Sequence, residues 1–295
     1  MKATKDFLKI GDLSINFRPV SGTSLGYIEK GDGDAVVFVH GALTDLRIWI
    51  DQIELFSHKY RAISYSRRCH WPAGHQENRT TYSRSVHTQD LIDFLDSLEL
   101  KRAHLVGHSY GGAVALLAAI ERPDLIGSLT LGEPSPFLGL FDGSETDLIS
   151  RQKVGLDEAR ILAQLGKGED SIRKFLSVIV GADVLDQLPS MARSIVLENV
   201  STLAPMLEHY YETPPVSCDQ LRNMKMTART LLIRGELSPR LALVSNNKLS
   251  DCLPNAREVI LHSTSHGLHI ENPAAFDQVV LDFLDEVAGP TDRTS

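Results

Sequence analysis

A serine framed by glycines, Gly107-His108-Ser109-Tyr110-Gly111, stands between the apolar run 103–106 and the small-residue apolar stretch 112–119. A short apolar run followed at once by a longer helix-forming one reads as a buried strand turning into a helix. So sharp a turn forces its central residue into strained backbone geometry, and glycine two places before and after removes the side chains that would collide. Ser109 is therefore expected to be presented rather than buried. A bare G-x-S-x-G arises by chance in roughly one protein in ten of this length, so the strand-turn-helix setting carries the weight.

Around this turn, apolar runs alternate with amphipathic stretches, the pattern of a mostly parallel sheet covered by helices on both faces. Strands are predicted at 7–13, 15–20 and 24–29, as an antiparallel edge, and then at 36–39, 61–65, 104–106 and 127–131. Helices are predicted at 45–57, 83–98 and 110–121 between them. Beyond 136 the alternation stops. Helical segments near 146–165, 171–180, 185–200 and 202–211 follow, punctuated by Gly166, Gly181 and Pro205, and Pro214-Pro215 closes the stretch. Alternation resumes with strands 230–234 and 258–261 and helices 239–252 and 273–287, leaving 289–295 as a loose tail. This pattern divides the chain into a core of 1–135 plus 217–295 and a helical insertion of 136–216.

Composition narrows the partners. A hydrophobic fraction of 42% and a charged fraction of 23% are those of an ordinary soluble globular chain. Thirty basic against 38 acidic residues, without a Lys/Arg-rich block, argue against nucleic acid or an anionic membrane and for a small, roughly neutral ligand. Cys69, Cys218 and Cys252 are odd in number and widely spaced, suggesting neither a disulfide framework nor a metal motif. No apolar signal core follows Met1, and no run reaches the length of a membrane span. A cytoplasmic, reducing location is the expectation.

Two further turns complete a pattern. His40-Gly41-Ala42 follows the strand-like run 35–39, and His266-Gly267 follows 259–261. With a histidine-glycine turn after an early strand, the serine turn and a late histidine before a final helix, in that order, the chain resembles the α/β-hydrolase superfamily over nearly its whole length. The resemblance implies an α/β fold with a mostly parallel central sheet, helices on both faces and an inserted helical cap over 136–216. It also implies a cofactor-independent site without metal: Ser109 as nucleophile, His266 as base, and the backbone N–H groups of Ala42 and Tyr110 as an oxyanion hole. His40 reads as a brace for its loop, and His104, His108, His262 and His269 as packing or solvent-facing residues.

The acid departs from the commonest family pattern. Where relatives place Asp three residues beyond a strand-ending Gly, this chain reads Gly235-Glu236-Leu237-Ser238, and Ser238 supplies no carboxylate. Two glutamates preserve the order Ser, acid, His. Glu133 ends the strand after the serine helix and resembles the relocated acid of some dehalogenases and of a lactone hydrolase of the zearalenone type. Glu236, on the usual strand, resembles some acyl-homoserine-lactone hydrolases. Glu133 is preferred, its longer arm compensating for the altered starting point. Either would hold the imidazole in one tautomer and stabilise the imidazolium.

For substrate contacts, Trp71 (or His70) on the loop after 61–65 and Phe137, Phe141 and Tyr210 in the insertion are the candidates, although most apolar residues of amphipathic helices pack against one another. Cys69 reads as an unreactive thiol. The implied activity is hydrolysis of a small, largely apolar carboxylic ester or lactone. Carbon-carbon bond hydrolysis, perhydrolysis, and a receptor that retains the fold with little turnover remain open alternatives.

Overall fold

The middle strands of the sheet are almost wholly buried, and they read in the sequence as short, largely apolar runs rather than as a regular alternation of apolar and exposed polar residues. The computed structural model describes residues 9–72, 82–211, 216–223, 228–253 and 255–288. In chain order the first half comprises β1 (Lys9–Ile10), β2 (Leu13–Ser14), β3 (Asn16–Val20), β4 (Thr23–Lys30), β5 (Ala35–Val39), α1 (Ile50–Phe56), β6 (Arg61–Tyr65), α2 (Arg84–Ser97), β7 (Ala103–His108), α3 (Tyr110–Glu121) and β8 (Ile126–Gly132). The inserted helices are α4 (Thr146–Gln164), α5 (Gly168–Ile179), α6 (Ser190–Glu198) and α7 (Leu203–Glu208). The chain returns through α8 (Cys218–Arg222), β9 (Arg229–Gly235), α9 (Arg240–Cys252), β10 (Ala256–Leu261), α10 (Leu268–Glu271) and α11 (Pro273–Ala288).

Among the described residues, eight strands form one sheet in the order β10-β9-β8-β7-β5-β6-β4-β3. From β10 to β6 all neighbours are parallel, while β4 runs antiparallel to both β6 and β3. Side chains of β5 alternate between two cores. Val37 and Val39 face the layer containing α2 and α3, and Val36 and Phe38 face the layer containing Trp49, Phe56 and Phe276. Phe38 meets Trp49 and Phe56 at ring-centroid distances of 5.2 Å each, burial worth roughly 1.5–3 kcal/mol per side chain.

The order of connections positions the site. From β5 the chain moves outward to β6 on one side and then returns to β7 on the other. The loops leaving β5 and β7 therefore diverge and open a crevice at the carboxyl ends of the strands, where open α/β sheets bind ligands.

Several boundaries differ from the sequence expectation. The strand expected at 7–13 begins outside the described residues, and Lys9–Ile10 pairs with Leu13–Ser14 as a separate hairpin about Gly11, whose φ is +57°. The helix expected at 45–57 splits into a 3₁₀ turn Leu46–Trp49, capped by the Asp45 carboxylate accepting from the Arg47 N–H at 3.0 Å, and α1. Pro189 breaks the helix expected at 185–200 into a short turn and α6. Pro214-Pro215 and the tail 289–295 lie outside the described residues.

The cysteine reading is overturned. Cys218 at the start of α8 and Cys252 at the end of α9 form a disulfide with Cα atoms 4.9 Å apart, while Cys69 is buried outside it. Spacing along the chain hid a pair that folding brings together, and the bond removes the cysteine argument for a reducing location. Among the described residues no helix is long and apolar enough to cross a membrane.

Closing a sequence separation of 34 residues restricts the unfolded chain, and the double substitution Cys218→Ser/Cys252→Ser is expected to lower stability by about 2–4 kcal/mol. Thiol titration of the denatured, unreduced protein should find the Cys69 thiol alone. Three titratable thiols before any reductant is added would contradict the pairing.

Candidate active site

Ser109 lies between β7 and α3 with φ +51° and ψ −118°, a backbone conformation that costs about 1–3 kcal/mol and persists where its surroundings over-determine it. They do so here. The Ser109 N–H donates to the Gly132 carbonyl at 2.8 Å, and its own carbonyl accepts from the N–H groups of Ala113 and Ser135. A Cβ on Gly107 would stand 2.7 Å from the Gly112 Cα, and one on Gly111 would stand 2.2 Å from the Val39 carbonyl oxygen. Both glycines are thus required by the close passage of backbone, as the sequence pattern implied.

His266, in the loop between β10 and α10, points Nε2 at the Ser109 Oγ, 3.0 Å away, and Nδ1 at the Glu133 Oε2, 2.7 Å away. Glu133 leaves the end of β8 with φ +41° and its N–H donating to the Ile233 carbonyl. Its other oxygen, Oε1, accepts from the Gly235 N–H at 2.7 Å and from the Ser238 hydroxyl. Burial opposes ionisation of this carboxyl, but the hydrogen bonds and charge of His266, with those of Ser238 and Gly235, hold it below the usual carboxylate range. An ionised carboxylate only accepts, so the proton on His266 sits on Nδ1 and Nε2 is left to accept from Ser109.

Glu236 takes no part in this arrangement. Its exposed side chain accepts from the Ser263 N–H at 2.9 Å and pairs with His262, while neighbouring Arg234 pairs with Glu258. Starting one residue beyond Gly235, it leaves β9 toward solvent.

The histidine-glycine loop lies against the serine: a Cβ on Gly41 would come within 3.6 Å of the Ser109 Cβ. Behind it the buried Arg67 guanidinium donates to the Gly41 carbonyl at 2.8 Å, and the Arg67 N–H donates to His40 Nε2 at 3.0 Å. His40 is therefore a brace, and its loop puts Ala42 on the cavity wall. The Tyr110 N–H opens α3, where first-turn amides have no partner within the helix.

Two cavities meet at Ser109 and His266, which border both. One, of about 100 Å³, is apolar, with Phe175, Ile179, Leu188 and Val196 of the inserted segment facing Ala42 and Ile48. The other, of about 280 Å³, is bordered by Glu133, Ser135, Arg151, Tyr210, Arg240 and Ser245 among others. Of the four expected substrate contacts only Tyr210 borders either of these cavities.

The other three are corrected. Trp71 lies under the Arg47 guanidinium, 4.0 Å from its ring centroid, and donates its N–H to Asn199 Oδ1. Asn199 also donates to Asp45 at 2.7 Å, so Trp71 serves a junction between the insertion and the core. Phe137 is buried in the core near Arg84, and half-buried Phe141 borders neither cavity. An aromatic residue near a site is recognisable in sequence, but the direction it faces depends on packing. His70, the alternative to Trp71, is buried with its ring 4.7 Å from that of His40.

Three polar residues gain parts that sequence reasoning did not give them. His108 is held 2.8 Å from the His266 carbonyl oxygen through Nε2. Buried and beside His266, it is pushed down to about 3 and stays a neutral donor, fixing the His266 backbone. His269 stacks on Trp49 at 3.9 Å and borders the apolar cavity. Ser238, three residues beyond Gly235, donates its hydroxyl to the Glu133 carboxylate, a part its spacing from Gly235 could have signalled.

Residues 36–279 match the family model described as "Alpha/beta hydrolase family". The chain belongs to that family. Among curated members it is similar to a strigolactone esterase of Pisum sativum, 31% identical over 169 residues that cover 56% of this chain and 62% of that protein, and so spans less than two thirds of that relative. It is also similar to the uncharacterized hydrolase YugF of Bacillus subtilis, 26% identical over 254 residues covering 84% and 89% of the two chains. The enol-lactonase of Burkholderia xenovorans superposes with a TM-score of 0.73 at 23% identity, over 91% of this chain and 99% of that one, a likeness of fold.

This member of the alpha/beta hydrolase family surrounds its site with buried neutral histidines. Burial pushes His40, His70, His87 and His269 well below their ordinary value, with Arg67 adding to the effect at the first three. With His108 they bind protons less readily folded than unfolded, so stability falls as the pH drops below the unfolded value of about 6.5. Asp277 acts oppositely: burial pushes its carboxyl up to about 6, so the folded state takes that proton first. The histidines outnumber it, and each that stays neutral removes up to about 1.4 kcal/mol per pH unit below pH 6.5. Urea unfolding at successive pH values between about 7 and 5 should show a falling midpoint, and a flat or rising one would mean the histidines are charged in the fold.

Proposed function

We propose that this alpha/beta hydrolase is a serine hydrolase that cleaves the carboxylic ester or lactone bond of a small, largely apolar molecule through an acyl-enzyme. The observation that carries this reading is the continuous relay from Glu133 Oε2 to His266 Nδ1 at 2.7 Å and from His266 Nε2 to Ser109 Oγ at 3.0 Å, where both cavities meet. The esterase and lactonase among the similar proteins support the bond class.

In this mechanism Ser109 Oγ attacks the carbonyl carbon as His266 Nε2 accepts its proton. Glu133 stabilises the imidazolium across Nδ1. Charge developing on the carbonyl oxygen falls to the N–H groups of Tyr110 and Ala42, which are fixed in advance and need no reorganisation. His266 then protonates the leaving oxygen, the tetrahedral centre collapses, and Ser109 holds the acyl group. Water gives its proton to His266, attacks the acyl carbon, and the acid departs as Ser109 recovers its proton. Helices α4–α7 act as the cap, and the apolar cavity beneath α5 and α6 takes the apolar end of the substrate.

A fluorophosphonate probe is expected to label Ser109, and Ser109→Ala and His266→Ala to abolish most hydrolysis of p-nitrophenyl esters or lactones while the melting temperature stays close to wild type. A folded protein that resists labelling would favour a receptor with little turnover.

Glu133→Gln should lower kcat by roughly 10³–10⁴-fold, because a neutral amide neither stabilises the imidazolium nor enforces the Nδ1–H tautomer. Glu236→Gln should stay near wild type. The reverse ranking of the two variants would return the acid to β9.

A further inference from the structure

The larger cavity carries charge that the hydrolytic relay does not use. Arg151 on α4 and Arg240 at the first position of α9 both border it, together with Ser109 and His266. The chain has 38 acidic side chains to 30 basic ones, and other arginines of these regions are neutralised: Arg160 by Asp157, Arg173 by Glu169, and Arg234 by Glu258. Among the described residues Arg151 and Arg240 have no acidic partner. Among the described residues the only acid on this wall is Glu133, committed to His266, Gly235 and Ser238. The first turn of α9 adds the positive end of a thirteen-residue helix that carries no acid there.

Neutral donors accompany the two cations. The Tyr211 hydroxyl donates to Gln152 Oε1 at 2.7 Å, which leaves the Nε2 hydrogens as the unspent part of that wall residue among the described residues. Ser245 also borders the cavity, and its buried hydroxyl, which turns about a single bond, has no partner among the described residues. A wall of guanidinium, amide and hydroxyl donors whose one carboxylate is already satisfied is built for an anion.

We infer that the substrate carries a carboxylate on the part that occupies this larger cavity, recognised by Arg151 and Arg240. The inference rests on the serine hydrolase reading for its use of the word substrate. It makes the molecule two-ended, with an apolar group against Phe175 and Val196 and an anionic group toward Arg151 and Arg240, and the scissile carbonyl at Ser109 between them. It puts an anionic group in place of the roughly neutral ligand expected from net charge, since the unpaired cations at this wall are opposite in sign to the chain as a whole.

The test is calorimetric binding to Ser109→Ala protein, which needs no turnover, with two matched pairs of esters. One pair carries the carboxylate on the leaving group, 4-(butanoyloxy)benzoate against phenyl butanoate, and the other on the acyl group, monophenyl glutarate against phenyl pentanoate. In at least one pair the carboxylate form should bind about tenfold tighter, a preference that shrinks in about 0.5 M NaCl, where the screening length is roughly 4 Å. Adding Arg151→Gln and Arg240→Gln should reduce that preference to less than about twofold while the neutral ester binds as before. Equal binding within both pairs, or a preference that survives the two substitutions, overturns the inference. Wild-type hydrolysis of phenyl butanoate without any carboxylate preference in binding would overturn this inference and leave the hydrolase reading standing. Carboxylate-selective binding by a protein that hydrolyses none of the four and resists the fluorophosphonate would keep the arginine site and overturn the hydrolase reading.

Discussion

The buried carboxylate of Glu133 is the constraint on which the site depends. A charge removed from water is tolerated only where donors replace the lost solvent, and the donors here come from two connections: the His266 ring after β10, and the Gly235 N–H and Ser238 hydroxyl between β9 and α9. Satisfying one carboxylate therefore ties three neighbouring strand ends together. The same contacts select the tautomer that leaves His266 Nε2 facing Ser109, so the stability of a buried charge and the orientation of His266 toward the Ser109 hydroxyl have a common origin.

Strained backbone stands beside this charge. Ser109 and Glu133 both hold positive φ, in adjacent strand ends, and each is pinned by backbone hydrogen bonds to the neighbouring strand, Ser109 to Gly132 and Glu133 to Ile233. The parallel ladder of β7, β8 and β9 thus fixes the two residues whose side chains His266 must bridge. His108, the residue before Ser109, closes the frame from the other side by donating to the His266 backbone.

The middle of the sheet was legible because strands buried on both faces read as short, largely apolar runs, and Ser109, Glu133 and His266 were picked out because each follows such a run; the structure brings the three side chains together. Glu133 stood out against Glu236 by the geometry of its strand end, since a residue leaving β8 toward the sheet's crevice meets His266 and one leaving β9 a step later meets solvent. Orientation was not legible. Trp71, Phe137 and Phe141 are aromatic and near the site, yet a cation, a core and a half-buried surface claim them. The bond between Cys218 and Cys252 depends on α8 and α9 lying side by side, and the break before α6 on Pro189; neither follows from hydrophobic period.

With Glu133 at the end of β8, the proposed mechanism also divides labour between adjacent strands. In a frame where the loop after β9 delivers the carboxylate, every residue of that loop is answerable to the position of a single charge. Here Ser238 contributes one hydroxyl, and the chain is then released into Pro239 and Arg240, which face the larger cavity. In the proposed reaction, selectivity and catalysis are thereby carried by neighbouring but separable stretches of chain, so the shape of the pocket can drift through substitution in one without retuning the proton relay held by the other.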